Sequence, residues 1–186
     1  APAPLVDSEL LLRIEKEIIV PTLSAMQKEG RKYKGLLYCG IMVTADGPKV
    51  VEFNCRFGDP ETQAVLPLVQ CDWYELFRSC AVGKLDITDW NVLSGYCVSV
   101  ILASKGYPGA YEKGKVITGI EDAERERANL DVYHSGTTLD SEERFITNGG
   151  RVLAVSAWAD TLQDAIATAY TGVSEINFDG KIFRRD

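Results

Sequence analysis

Residues Val51 to Gln63, V-E-F-N-C-R-F-G-D-P-E-T-Q, constrain this chain more than any other stretch, because they encode a strand, a sharp turn and a helix start in immediate succession. Val51 to Asn54 alternates apolar and polar residues, and alternate side chains of a strand share a face. Glu52, Asn54 and, beyond them, Arg56 then project together, while Val51 and Phe53 are expected to face a core. A carboxylate and an amide oxygen at that spacing are hard ligands suited to Mg²⁺. The planar guanidinium of Arg56 is suited to clamping a carboxylate or a phosphate. Gly58 permits a tight turn. Asp59 is expected as an N-cap, with Pro60 at the first helical position and Glu61 in the first turn, a start that points backbone N–H groups toward an anion. A plainer reading stays open at this level: Asp-Pro-Glu is a common helix opening, and E-x-N alone also describes a solvated edge strand.

Size and charge narrow the field. The 186 residues suffice for one domain or two small ones, and 46% hydrophobic residues are normal for a globular core. A formal net charge of −7 argues against binding nucleic acid by phosphate neutralisation. The apolar runs are too short to span a membrane, and the start A-P-A-P-L-V-D lacks the basic region of a signal peptide. Cysteines at positions 39, 55, 71, 80 and 97 are odd in number and form no C-x-x-C, so they read as small buried thiols of a reducing compartment. They supply no zinc ligand set. The chain has neither G-x-x-x-x-G-K-[ST] nor G-x-G-x-x-G, which excludes nucleotide binding through those loops here.

In chain order, Asp7 caps an expected helix carrying Leu11, Ile14 and Ile18; Pro21 kinks or restarts it, and it runs on to Gly30. Arg31 to Lys34 reads as a basic, solvated link. Gly35 to Thr44 and Lys49 to Asn54 form a hairpin about Asp46-Gly47. A short helix from Gln63 is interrupted by Pro67. A second helix, Trp73 to Val82, is capped by Asp72 and closed by Gly83, with Trp73, Leu76, Phe77 and Cys80 as its apolar stripe. Asp86 to Asn91 reads as a polar linker, which sets a domain boundary near Leu93. Beyond it, strands are expected over Tyr96–Ala103, Lys115–Ile120, Asp131–Ser135, Arg144–Thr147 and Arg151–Trp158. Gly106-Tyr107-Pro108-Gly109 is a turn, and Glu121 to Asn129 is a charged surface excursion. Asp160 caps a final helix that buries Leu162, Ile166, Ala169, Tyr170, Val173 and Ile176. His134, the sole histidine, reads as a hydrogen-bonded strand residue, and Gly149-Gly150-Arg151 as a hairpin turn in preference to a phosphate nest. The fold class is α+β, with domains over 1–93 and 94–186.

R-F-G-D-P-E-T at Arg56 to Thr62 resembles the signature of the glycinamide ribonucleotide synthetase family, the phosphoribosylamine–glycine ligases of the ATP-grasp superfamily. The resemblance extends through Y-K-G-L-L-Y-C-G-I-M, G-Y-P-G and T-N-G-G-R-V-L, over essentially the whole chain. It implies the second half of an ATP-grasp domain followed by a small mixed sheet-and-helix domain. The amino-terminal domain and first ATP-grasp half of the family have no counterpart here.

The resemblance further implies a cytoplasmic enzyme of de novo purine biosynthesis that uses ATP and Mg²⁺ (or Mn²⁺) to join glycine to 5-phosphoribosylamine through glycyl phosphate. Glu52 and Asn54 would hold the metal on the ATP phosphates. Arg56 would neutralise charge as a catalytic and nucleotide-contacting residue. Asp59 would be catalytic and, with Glu61 and Thr62, bind substrate. The chain alone is expected to be inactive, its partner being the missing amino-terminal part. A non-catalytic metal-, phosphate- or partner-binding module is a reading from another class. Another ATP-grasp carboxylate–amine ligase or a biotin-type carboxylase also carries E-x-N, although R-F-G-D-P-E-T argues against these. One departure stands out: ATP-grasp enzymes commonly place another acidic ligand on the preceding strand, and no acid occurs between Gly35 and Thr44. The corresponding position is expected near Gly40.

Overall fold

The computed structural model describes residues 1–85, 90–125 and 127–185. The chain packs as two compact units. One, the amino-terminal unit, contains Pro2–Asp59 and Gln70–Asn91; the other, the carboxyl-terminal unit, contains Ala1, Pro60–Val69 and the chain from Val92 on. The switch near residue 92 lies next to the boundary expected at Leu93. The assignment of Ala1 and Pro60–Val69 to the second unit is not foreseen by a division into 1–93 and 94–186. The linker read over Asp86–Asn91 lies largely outside the described residues, as does Glu126 of the charged excursion.

In the amino-terminal unit, Asp7 accepts a hydrogen bond from the amide of Leu10 at 2.8 Å and opens α1, Ser8–Ile14. Pro21 stands in the first turn of a restarted α-helix, as expected. One turn of π-helix over Glu15–Ile19 leads directly into α2, Val20–Lys28. Proline has no N–H and its ring crowds the carbonyl four residues back; the widened turn, with Val20 N–H bonding the carbonyl of Glu15, absorbs both defects. Strands β1 (Tyr38–Thr44) and β2 (Gly47–Asn54) then form an antiparallel hairpin with a bulge between Gly40 and Ile41. Val51 and Phe53 face no core: they are 65% and 41% exposed, because a hairpin of two strands leaves a face bare unless another element covers it, and among the described residues these two stay open.

The Asp59 cap is likewise corrected. The helix α3 spans only Thr62–Val65, with Glu61 at its N-cap position making no side-chain cap bond, and it tightens into a 3₁₀ turn at Leu66–Leu68 around Pro67. Short strands β3 (Val69–Gln70) and β4 (Asn91–Val92) pair with each other. Between them α4, Trp73–Val82, forms as its sequence dictates. Asp72 caps the amide of Glu75 at 3.0 Å, and Gly83 closes the helix at φ 73° in the left-handed region.

The carboxyl-terminal unit is built on β5 (Tyr96–Ser104), α5 (Ile120–Glu124), β6 (Leu130–His134), β7 (Thr137–Leu139), β8 (Phe145–Thr147), β9 (Arg151–Ala159), α6 (Leu162–Glu175) and β10 (Lys181–Ile182). Four of these strands make an antiparallel sheet in the order β10-β5-β9-β6, and β7 pairs with β8. One face of the sheet carries Val100, Leu102, Leu130, Val132, Leu153 and Val155, packed on α6 in a single apolar core.

The expected strand at Lys115–Ile120 is instead two isolated bridges, Val116 to Ile146 and Thr118 to Asn177, with α5 starting at Ile120. The final helix is capped by Thr161, one residue later than Asp160; its hydroxyl accepts from the amide of Asp164 at 3.1 Å. The face α6 buries also differs from expectation. Ala165 and Gly172 join Ala169 and Val173, while Ile166 stays 39% exposed. The helix lies so close to the sheet that a Cβ on Gly172 would sit 2.6 Å from Leu130 Cδ1. At the helix end, Arg127 grips Glu175 through two bonds of 3.0 and 2.7 Å, and the Lys181 ammonium donates to the carbonyls of Val173 and Ile176. Both are cations placed where a helix leaves its carbonyls unsatisfied.

Candidate functional site

The E-x-N pair lies where the hairpin register puts it. Glu52 and Asn54 point to one face of β2, and the Asn54 amide nitrogen donates to Glu52 Oε1 at 2.8 Å. Glu52 is exposed and Asn54 half-buried. Their cross-strand partners are Gly40 and Tyr38. Gly40 therefore stands directly opposite Glu52. A Cβ there would lie 3.2 Å from Glu52 Cγ, so the glycine leaves room for the glutamate side chain in the place where an acid on β1 would stand. Among the described residues no group of three or more His, Cys, Asp and Glu converges.

The donor chemistry nevertheless fits Mg²⁺, which takes hard oxygen ligands and is commonly held by one or two protein groups with water and substrate phosphates completing the shell. Holding it requires the Asn54 amide to turn its oxygen, in place of the nitrogen now bonded to Glu52, toward the ion.

Past Asn54 the chain turns. Arg56 is exposed and its Nη1 donates to the carbonyl of Phe57 at 2.7 Å, so the guanidinium is folded against its own loop. Phe57 anchors that loop: its ring packs edge-on to Phe77 with centroids 6.0 Å apart, and Phe77 in turn packs on Trp73 at 5.5 Å. Trp73 and Phe77 were readable as an apolar stripe of α4; that Phe57 completes the cluster was not, since the contact joins residues distant in sequence. Gly58 is buried and Asp59 exposed.

The remaining site residues, Glu61 and Thr62, belong to the other unit, whose limit falls between Asp59 and Pro60. The segment they sit on packs on the second face of the large sheet, where α3 contacts β5 and β9. That face is polar at its centre: Ser156 Oγ donates to Ser99 Oγ at 2.9 Å, and Cys97 Sγ donates to the carbonyl of Gln63 at 3.8 Å. Asp59, Glu61, Thr62 and Gln63 all have interaction partners. A helix of four residues offers no anion-binding terminus of its own, so the N–H cluster expected after Asp59 is not formed by α3.

The reading of the five cysteines as small buried thiols is corrected, because apolar neighbours in sequence do not decide what packs on a side chain. Only Cys97 is buried, with its pKa pushed up to about 11 by burial; Cys39, Cys71 and Cys80 are half-buried and Cys55 is exposed. On the same sheet face Tyr133 donates to Asp131 Oδ2 at 3.0 Å, and burial followed by that bond raises the phenol well above its usual range. His134 is exposed, bonded to Thr137 Oγ1 at 2.8 Å and packed on Phe145, as a structural strand histidine would be. Gly149 and Gly150 serve close packing: Cβ atoms there would run into Gly136 and into the ring of Tyr107.

Comparison with known proteins agrees along the chain. Residues 1–62 match the family described as phosphoribosylglycinamide synthetase, ATP-grasp (A) domain, and residues 97–186 match phosphoribosylglycinamide synthetase, C domain. The phosphoribosylamine–glycine ligase of Nostoc sp. is 45% identical over 190 residues, which takes in 100% of this chain and 44% of that protein. The trifunctional purine biosynthetic protein adenosine-3 of Gallus gallus is 47% identical over 188 residues, 18% of its length. A crystal structure of phosphoribosylamine–glycine ligase from Thermotoga maritima superposes with a TM-score of 0.79 at 31% identity, covering 99% of this chain and 44% of the other. N5-carboxyaminoimidazole ribonucleotide synthetase, also from Thermotoga maritima, and Rhizobium etli pyruvate carboxylase, at 16% and 14% identity with TM-scores of 0.62 and 0.67, share the fold alone. The chain therefore spans under half the length of the single-function relatives.

Proposed function

The chain belongs to the phosphoribosylglycinamide synthetase family, with the fold of the carboxyl-terminal part of an ATP-grasp enzyme, and on that premise we propose that it forms part of a ligase joining glycine to 5-phosphoribosylamine at the expense of ATP. The observation that carries the reading is the exposed Glu52–Asn54 pair on one strand face, followed directly by Arg56 and the D-P-E-T segment. Glu52 and Asn54 would hold Mg²⁺, which would supply charge neutralisation on the ATP phosphates. Such transfer is mostly positioning and electrostatics, and so needs few protein groups.

Arg56, released from the Phe57 carbonyl, neutralises the glycine carboxylate or its acyl phosphate and contacts the nucleotide phosphates. Asp59 orients the attacking amine with Glu61, and Thr62 donates its hydroxyl to phosphate. The products are glycinamide ribonucleotide, ADP and phosphate. We extend the proposal to a cytoplasmic location, to the domain division 1–93 and 94–186 of the parent, and to an amino-terminal part of the same enzyme as the partner of the exposed apolar face of the hairpin. Among the described residues no helix is long and apolar enough to cross a membrane.

Glu52→Gln in the full-length protein is the test. Metal-dependent ADP formation with glycine and phosphoribosylamine should fall by roughly 100-fold or more, as for loss of a group stabilising transition-state charge, with circular dichroism unchanged. Normal turnover would remove Glu52 from the site. The 186-residue chain alone should form no ADP; activity there would show that the site is complete without the rest of the protein.

A further inference from the structure

The two outer edges of the four-stranded sheet are finished differently. On β6 two outward amides are satisfied within the unit: Leu130 N–H bonds the carbonyl of Arg127 at 3.1 Å, and Val132 N–H bonds Glu124 Oε1 at 2.9 Å. On β5, among the described residues, the edge is closed at its ends. Ile182 and Lys181 of β10 pair with Ala103 and Ser104. At the other end Ala1 exchanges both backbone bonds with Cys97, accepting from its N–H at 2.8 Å and donating its amino group to the Cys97 carbonyl.

The parity of the ladder shows which groups lie between. Trp158 N–H points to the β6 side, toward Asn129, so its β5 partner Cys97 turns its own groups outward, and so do Ser99 and Ile101. A groove of about 430 Å³ runs along this stretch, lined by Val98–Ile101, by Ile166 and Tyr170 of α6, and by Arg184 and Arg185.

We infer that this stretch of β5 is a strand-acceptor edge, filled in the longer chains of this family by the residues immediately before Ala1, running antiparallel to β5 and bonded to Ser99 and Ile101. Three observations select that occupant. A residue that exchanges both bonds with its neighbour is in antiparallel register, so chain upstream of Ala1 is aimed along β5 toward Ser99. Hydrogen-bonded pairs recur at every second residue, which matches Ser99 and Ile101 to the second and fourth residues upstream, before β10 stops the strand at Ala103. More than half of the single-function relatives' length lies outside this chain. The carboxyl-terminal tail does not compete, because Tyr170 OH holds the Arg184 carbonyl at 2.6 Å and turns the tail onto α6. An open edge of this kind is otherwise a site for unwanted pairing. The inference rests on family membership and not on the ligase activity.

Residue-resolved amide exchange on the 186-residue chain and on the full-length protein tests it. In the shorter chain Ser99 and Ile101 should exchange roughly 100-fold faster than Val98 and Val100, whose amides bond β9, and in the full-length protein all four should be protected alike. Fast exchange at Ser99 and Ile101 in the full-length protein would overturn the inference. So would concentration-dependent protection in the shorter chain persisting as dimerisation in the full-length protein, which would assign the edge to a second copy. Ser99→Pro in the full-length protein should abolish protection of the upstream residues while sparing the β9 ladder, since the lost N–H faces the groove. If that variant does not fold, the comparison of the unsubstituted chains still decides.

Discussion

The two units differ most in what they bury. Nearly all of the buried hydrophobic side chains lie in the carboxyl-terminal unit, where Leu102, Leu153, Val152, Val155 and Ile176 are at or near zero exposure. In the amino-terminal unit Ile18 alone joins them among the described residues, while Leu11, Leu12, Val51, Phe53 and Phe77 stay largely in solvent. Helix caps, turn glycines and strand register are as well formed in the second case as in the first. Local chemistry therefore sets secondary structure in both units, whereas a closed core needs residues that only one of them contains. Exposed apolar side chains in such number are characteristic of a surface that packs against something else.

Core truncation should expose the contrast most strongly. Leu153→Ala, at a fully buried site, should lower the stability of the carboxyl-terminal unit by about 2–5 kcal/mol, read from amide exchange along β9. Phe53→Ala should be close to neutral in the 186-residue chain and clearly destabilising in the full-length protein; a large effect in the short chain would mean that the hairpin already has a core. Arg127→Ala comes next. It leaves Glu175 half-buried without its bidentate partner and should cost about 1–2 kcal/mol, within the range for charged hydrogen bonds, measured by urea unfolding. Removing caps tests whether the units are equal at the local level: Thr161→Ala and Asp72→Ala should each cost about 1 kcal/mol, read as faster exchange in α6 and α4 respectively.

The smallest effect is one of pH. Burial raises the Cys97 thiol to about 11 in the folded chain, above the 9.0 of a free thiol. The folded state thus holds its proton more tightly, the stability this contributes is complete below about pH 9, and it is lost as pH rises toward 11. Cys97→Ala should flatten that alkaline slope of unfolding free energy. Alkylation at neutral pH should modify Cys55 and leave Cys97 intact.

Much of this was legible in local signals. Asp7, Asp72 and Gly83 mark helix limits because a cap needs only neighbours within a turn. The hairpin about Asp46-Gly47 and the opposition of Gly40 to Glu52 follow from strand pairing. What escaped depended on contacts remote in sequence. Gly172 is buried because Leu130 approaches it, not because glycine belongs to an apolar periodicity. Lys115–Ile120 has strand-like composition but finds only single bridging partners. Val51 and Phe53 alternate as core residues should and still lie exposed, because alternation fixes which face a side chain takes and not what packs on that face.

The membership of Pro60–Val69 in the carboxyl-terminal unit has a consequence for recombination. A crossover or truncation at residue 93, where composition changes, would separate β5 and β9 from the segment that covers Ser99, Ser156 and Cys97, and would cut the R-F-G-D-P-E-T signature away from half of its support. An exchange that keeps each unit whole therefore has to move Asp59–Pro60 and Val69–Gln70 together with residue 92. The signature is thereby divided, with Arg56 to Asp59 in one unit and Pro60 to Thr62 in the other.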